Sequence, residues 1–276
     1  MQIMWGIAEI VQESILATCS LPLRFMVRAL ILGGTGDAVR LAAKLAAFPT
    51  VEIVSSLAGR TQQPALPAGA IRSGGFGGAD GLADYLSEHK IDVLIDATHP
   101  FAAQISWNAS LAAAKTGVRY LRLDRPAWQP DLGDRWIEVE TIEDAARAIP
   151  PEAKRVFLTI GRQQLAPFAS LARVWFLMRA IDPPAADLPL PNGTLLLERG
   201  PFSLERERQL LRDYQIDAMV SKNSGGAATY PKLVAARELA LPVVMVRRPA
   251  MPSGDTVADG EGAIAWLAQA FQISER

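Results

Sequence analysis

From Met26 almost to its end, the chain alternates short apolar runs with amphipathic segments. Few folds tolerate that rhythm. A strand buried on both faces reads as a continuous apolar run, whereas a helix lying over it places apolar residues three and four apart. Residues 28–32 read as a first strand. After Gly33-Gly34-Thr35-Gly36-Asp37, one helical face is marked by Ala38, Leu41, Ala42, Leu45 and Ala46, and Phe48-Pro49 stops the helix. Further strands are expected at residues 51–56, 93–95 and 119–123, with helices at residues 80–88 and 229–239. The predicted fold is α/β, two Rossmann-like domains with parallel sheets and a ligand cleft between them.

Two copies of one unit account for the length. Ile91-Asp92-Val93-Leu94-Ile95-Asp96 is echoed by Ile216-Asp217-Ala218-Met219-Val220-Ser221, and Asp124-Arg125-Pro126 is echoed at nearly the same offset by Arg247-Arg248-Pro249. Duplication and convergence on a shared grammar both explain the echo. The first domain is expected at residues 26–130 and the second at 140–276, with the boundary in 127–143, where tryptophan, proline and charge break the alternation. Residues 182–193, with four prolines, read as a loop over the site. Residues 1–25 are set aside as an extension outside the fold, with Met26 as the biological start. Their acidic residues Glu9 and Glu13 do not resemble a secretory leader.

Composition narrows the chemistry. With 28 basic and 29 acidic side chains, the chain has no excess charge to offer nucleic acid. Apolar stretches break well before the ~18–20 residues of a membrane helix, so a cytoplasmic protein is expected. A single cysteine, Cys19, and two histidines, His89 and His99, leave little from which to build a metal centre.

Ligands of open parallel sheets bind beyond the carboxyl ends of the strands. There, Gly33-Gly34-Thr35-Gly36 opens a helix and reads either as a tight turn or as an anion cradle. It departs from the dinucleotide fingerprint, since the third glycine position is Val39. The second strand ends in Ser55-Ser56-Leu57-Ala58-Gly59-Arg60, and its only nearby acid, Glu52, lies inside the strand. Small polar and basic groups there favour NADPH over NADH. In Asp96-Ala97-Thr98-His99-Pro100-Phe101, His99 is the histidine at a strand's carboxyl end, positioned to give a proton or hold a carboxylate, with Asp96 or Thr98 orienting it. From the second half, Arg162, Arg199 and Lys222, with Arg179 a further candidate, are expected to form a cationic rim on the cleft. Ser221-Lys222-Asn223-Ser224-Gly225-Gly226 is rich in donors for phosphate or carboxylate.

Taken in order, Gly33-Gly34-Thr35 with Arg40, Ser56 to Arg60, Gly74-Gly75-Phe76-Gly77-Gly78, Asp96 to Ala102, Arg122 to Pro126, Glu198-Arg199-Gly200-Pro201-Phe202 and Ser221 to Gly226 resemble the precorrin-6A reductase family of cobalamin biosynthesis, which includes the cobalt-precorrin-6A reductases. The resemblance spans about residues 27–250. It implies reduction of the precorrin-6A macrocycle to precorrin-6B, NADPH as coenzyme, and a tetrapyrrole rich in carboxylates bound in the cleft. On that reading Gly33, Gly34, Thr35, Gly36, Ser56, Arg60 and Thr98 hold the coenzyme. Arg40, Arg122, Arg162, Arg199, Lys222, Asn223 and Ser224 hold the substrate, and His99 with Asp96 forms a proton relay. The alternatives are the cobalt-precorrin-6A reductase of the anaerobic route, a non-catalytic nucleotide sensor, which would not need the cationic rim of the second half, and an NADP-dependent short-chain-like or epimerase-like enzyme acting on a nucleotide sugar. The last calls for a Tyr-x-x-x-Lys pair, and none of Tyr85, Tyr120, Tyr214 and Tyr230 has a lysine four residues on.

Overall fold

The structure, a computed structural model, describes residues 26–59 and 66–273. The expectations placed on residues 1–25 and on Arg60 lie outside the described residues. The first half contains β1 (Val27–Leu32), α1 (Gly36–Leu45), β2 (Val51–Leu57), β3 (Ala70–Ser73), α2 (Gly78–Glu88), β4 (Val93–Asp96), α3 (Ala103–Thr116) and β5 (Arg119–Leu123). There follow β6 (Arg135–Val139), α4 (Ile142–Arg147), β7 (Arg155–Thr159), β8 (Trp175–Ala180), β9 (Gly193–Leu197), α5 (Leu204–Asp213), β10 (Ala218–Lys222), α6 (Pro231–Glu238), β11 (Pro242–Val246), β12 (Asp255–Val257) and α7 (Gly260–Phe271).

Every strand pairing is parallel. A parallel sheet needs cover on both faces, and alternate residues of the central strands supply two cores. In β1, Ala29 and Ile31 pack with Leu41 and Leu45 of α1 and Leu267 of α7, while Leu30 and Leu32 pack with Leu82 and Leu86 of α2. In β7, Val156 and Leu158 face α4, and Phe157 faces Leu210 and Leu211 of α5. The α1 face follows the predicted spacing, but Ala46 is exposed because the helix ends at Leu45.

The two six-stranded sheets are ordered β12-β5-β4-β1-β2-β3 and β6-β11-β10-β7-β8-β9. Each is the doubly wound order 3-2-1-4-5-6, with its sixth strand taken from the other half of the chain. Thus β6 follows β5 in sequence but pairs with β11, and β12 follows β11 but pairs with β5. The expected division at 130–140 therefore needs correction: residues 255–271 complete the first sheet and its core, with Ala263 and Leu267 buried beside Leu41. The physical reason lies at the ends of β5 and β11, where the chain crosses between sheets twice and ties the two crossings together. Residues at or just beyond the carboxyl ends of β4, β7, β8 and β10 consequently line one cleft.

Candidate active site

At the first sheet's switch point, between β1 and β4, the loops are joined through Thr35. Its hydroxyl donates to Ala97 O at 2.7 Å and accepts from Ala38 N at 3.1 Å, capping α1. Gly34 has φ +100, and a Cβ there would meet nothing within 4 Å, so the loop presents bare backbone to open space. One strand over, buried Ser56 accepts from Arg72 Nη1 at 2.9 Å. Arg72 also donates to Gly74 O and Gly75 O, both at 3.0 Å, and its guanidinium lies 3.8 Å from the Phe76 ring centroid. Sequence reasoning missed Arg72. The signal was its place at the end of a strand, directly before the glycine-rich loop.

The predicted Asp96–His99 relay does not form. Asp96 is buried, and its Oδ1 accepts from Thr98 N at 3.0 Å and Thr98 Oγ1 at 2.6 Å, while Oδ2 accepts from Tyr120 at 3.2 Å. Burial and the Asp96 carboxylate push the Tyr120 phenol well above its ordinary range. His99 instead accepts from Phe101 N at Nδ1, 3.2 Å away, so its single proton sits on Nε2. Burial first, then the charges of Arg125, Lys222, Lys232 and Arg248, lower its pKa to about 3. At neutral pH His99 is therefore an uncharged Nε2–H donor.

His99 and Phe101 of the first half line a cavity of about 360 Å³ together with Gly161, Arg162, Asp182 and Lys222 of the second. A neighbouring cavity of about 580 Å³ shares Phe101, Gln163 and Gln164 with it and extends toward Glu140 and Arg247. The Lys222 ammonium stands 5.0 Å from the Phe101 ring centroid, and burial lowers its pKa to about 8. Of the long 182–193 loop, Asp182 reaches the cavity, preceded by Ile181 at the end of β8. Behind the cavity, Lys232 of α6 is 5% exposed and donates to Thr159 Oγ1 at 2.9 Å. Its burial lowers its pKa to about 7. Nothing in the sequence pattern singled it out.

The remaining predicted cations separate by role. Arg162 lines the cavity and donates to Pro183 O, Arg199 is exposed in the loop after β9, and Arg40 is exposed on α1 and paired with Asp37. Arg179 departs from the expected rim: it is buried against Glu207 at 2.7 Å and under Phe202. Arg122 is engaged by Asp124 and by Pro252 O, both at 3.1 Å. Asn223 is corrected from a substrate donor to a structural clamp. Its Oδ1 accepts from Trp128 N at 2.8 Å and its Nδ2 donates to Trp128 O at 3.0 Å. The Ser224 carbonyl accepts from both Arg125 and Arg248. These bonds bind the two sheet-to-sheet crossings to the loop after β10, which leaves that loop little to offer an anion.

Among the described residues, no group of three or more His, Cys, Asp or Glu is placed to hold a metal, and no helix is long and apolar enough to cross a membrane. The family described as precorrin-6x reductase CbiJ/CobK matches residues 28–268. The precorrin-6A reductase of Rhodococcus erythropolis is 54% identical over 243 residues, covering 88% of this chain and 98% of that one. The cobalt-precorrin-6A reductase of Priestia megaterium is 32% identical over 193 residues, covering 66% and 75%. A solved structure titled CobK precorrin-6A reductase superposes with a TM-score of 0.85 at 45% identity, covering 91% of this chain and 99% of that one. A two-sheet fold of matching shape, a cleft between the sheets and a match along nearly the whole described chain agree, and the chain belongs to the precorrin-6x reductase CbiJ/CobK family.

Proposed function

We propose that NADPH is the reductant with which this chain, a precorrin-6A reductase of cobalamin biosynthesis, converts precorrin-6A to precorrin-6B, the coenzyme lying over the first sheet and the macrocycle in the cleft. The observation that carries this reading is the Arg72–Ser56 pair. A guanidinium and a hydroxyl at the carboxyl ends of β3 and β2 are where a doubly wound sheet meets the ribose of a dinucleotide, and they fit a 2′-phosphate. The bare backbone at Gly34 beside the α1 N-terminus fits the pyrophosphate. When bound, NADPH supplies a hydride.

The protein's own part is positioning and charge. Lys222 and Arg162 face the cleft and suit the acetate and propionate groups of a tetrapyrrole. His99, uncharged, offers Nε2–H to an acceptor on the substrate without titrating near neutral pH. The two adjoining cavities, meeting at Phe101, give a flat macrocycle more room than either alone. Metal-free precorrin-6A, rather than its cobalt form, is favoured by 54% against 32% identity to the respective relatives. Mixing the protein with precorrin-6A and NADPH tests the reading: the macrocycle absorbance should change with equimolar NADPH consumed, and an unchanged spectrum would refute it.

A further inference from the structure

Reducing one double bond of a conjugated macrocycle consumes a proton as well as a hydride. Most cations around the cleft are already committed. Arg125 and Arg248 bind the crossings, Arg179 binds Glu207, Arg162 donates to Pro183 O, and Lys232 donates to Thr159. Lys222 differs: it lines the cavity, and its ammonium lies over the face of Phe101, 5.0 Å from the ring centroid. It ends β10, as Asp96 ends β4, so it meets His99 across the cleft from the equivalent strand of the other sheet. The charged and titratable groups facing it are His99 after β4, Arg162 after β7, Asp182 after β8 and Lys232 on α6.

We propose that Lys222 is the proton donor of the reduction. This rests on the functional reading above. The macrocycle gains a C–H bond by hydride from a reduced nicotinamide, which is thereby oxidised. The displaced π pair takes a proton from Lys222 Nζ, forming a second bond to hydrogen as an N–H bond of the ammonium breaks. The neutral amine regains its proton from solvent after product leaves. His99 does not fill this role, because it is already neutral and its Nδ1 is held by Phe101 N. Asp96 and Tyr120 are occupied with each other outside the cavity wall. Burial makes the Lys222 ammonium a stronger acid than a surface lysine while leaving it mostly protonated at pH 7.

Lys222→Arg separates proton donation from charge, since a guanidinium anchors carboxylates but does not release its proton. The expected result is kcat lower by about 10²–10³-fold, with precorrin-6A affinity, titrated without coenzyme, within about threefold of wild type. The wild-type kcat profile should fall above about pH 8, and that limb should vanish in the arginine variant. Retained affinity reports that the variant is folded. A Lys222→Arg enzyme with near-normal kcat, or a wild-type profile flat through pH 8, overturns the proposal and leaves Lys222 as an anchoring cation. Wild type that consumes no NADPH with precorrin-6A would instead remove the reading beneath it.

Discussion

Arg125 and Arg248 stand just beyond the ends of equivalent strands, β5 and β11, and both donate to one acceptor, the carbonyl of Ser224, at 2.8 and 3.0 Å. Each belongs to one of the crossings by which the sheets exchange their sixth strands. Arg248 also donates to Asp124, to Arg125 O and to Asn223 O. Arg125 reaches back to Asp37 on α1. The exchange of strands and the shape of the cleft are thus held by one knot of side-chain-to-backbone bonds.

Removing Arg248 leaves several partly buried acceptors unpaired. Arg248→Met is expected to lower stability by about 2–4 kcal/mol, read by urea denaturation. Adding Arg125→Met should cost more than its separate effect, because only the double variant strips the Ser224 carbonyl of both its donors.

Gly225 lies inside the same knot. Its φ is +68, and a Cβ would stand 2.1 Å from Pro126 O and 2.5 Å from Arg248 Nη2. Backbone must move to admit it, so Gly225→Ala should lose at least ~2 kcal/mol and open the cleft to proteolysis. Limited proteolysis of the 124–134 crossing checks this.

Arg72→Gln removes the charge beside Ser56 and keeps a polar side chain. Loss of a charge-assisted bond worth about 1.5–3 kcal/mol predicts a KM for NADPH higher by roughly 10–150-fold, with little change for NADH. Equal losses for both coenzymes would remove Arg72 from the 2′-phosphate site.

His99 links the cleft to acid stability. Its pKa falls from 6.5 in the unfolded chain to about 3 in the fold, so the unfolded state binds the proton more tightly. Its contribution, up to ~5 kcal/mol, is present above pH 6.5 and drains away as pH falls toward 3. His99→Asn should therefore lose less stability than wild type between pH 6 and pH 4 in parallel thermal melts.

The strands and their loops were legible because burial on both faces writes continuous apolar runs, as in Ala29, Leu30 and Ile31. Other features were not. β3 is short and largely exposed, so nothing marked Arg72 as the partner of a serine 16 residues earlier. Arg135–Val139 and Asp255–Val257 obey the same local grammar whichever sheet they join, and the exchange shows only in pairing. Asn223 and Ser224 have the composition of an anion site, but composition does not say whether donors face solvent or the chain. Nearness in sequence made Asp96 a natural partner for His99, yet Thr98 and Tyr120 take both its oxygens.

Direct hydride transfer from a nicotinamide on the first sheet to a macrocycle in the cleft, as proposed above, leaves an isotopic signature. Supplying NADPH deuterated at the transferring C4 position and weighing the reduced macrocycle tests it most directly. One deuterium per product molecule is the predicted result, with label absent when unlabelled NADPH is used in deuterated water at the same carbon. Product that carries no deuterium from the coenzyme would contradict the account.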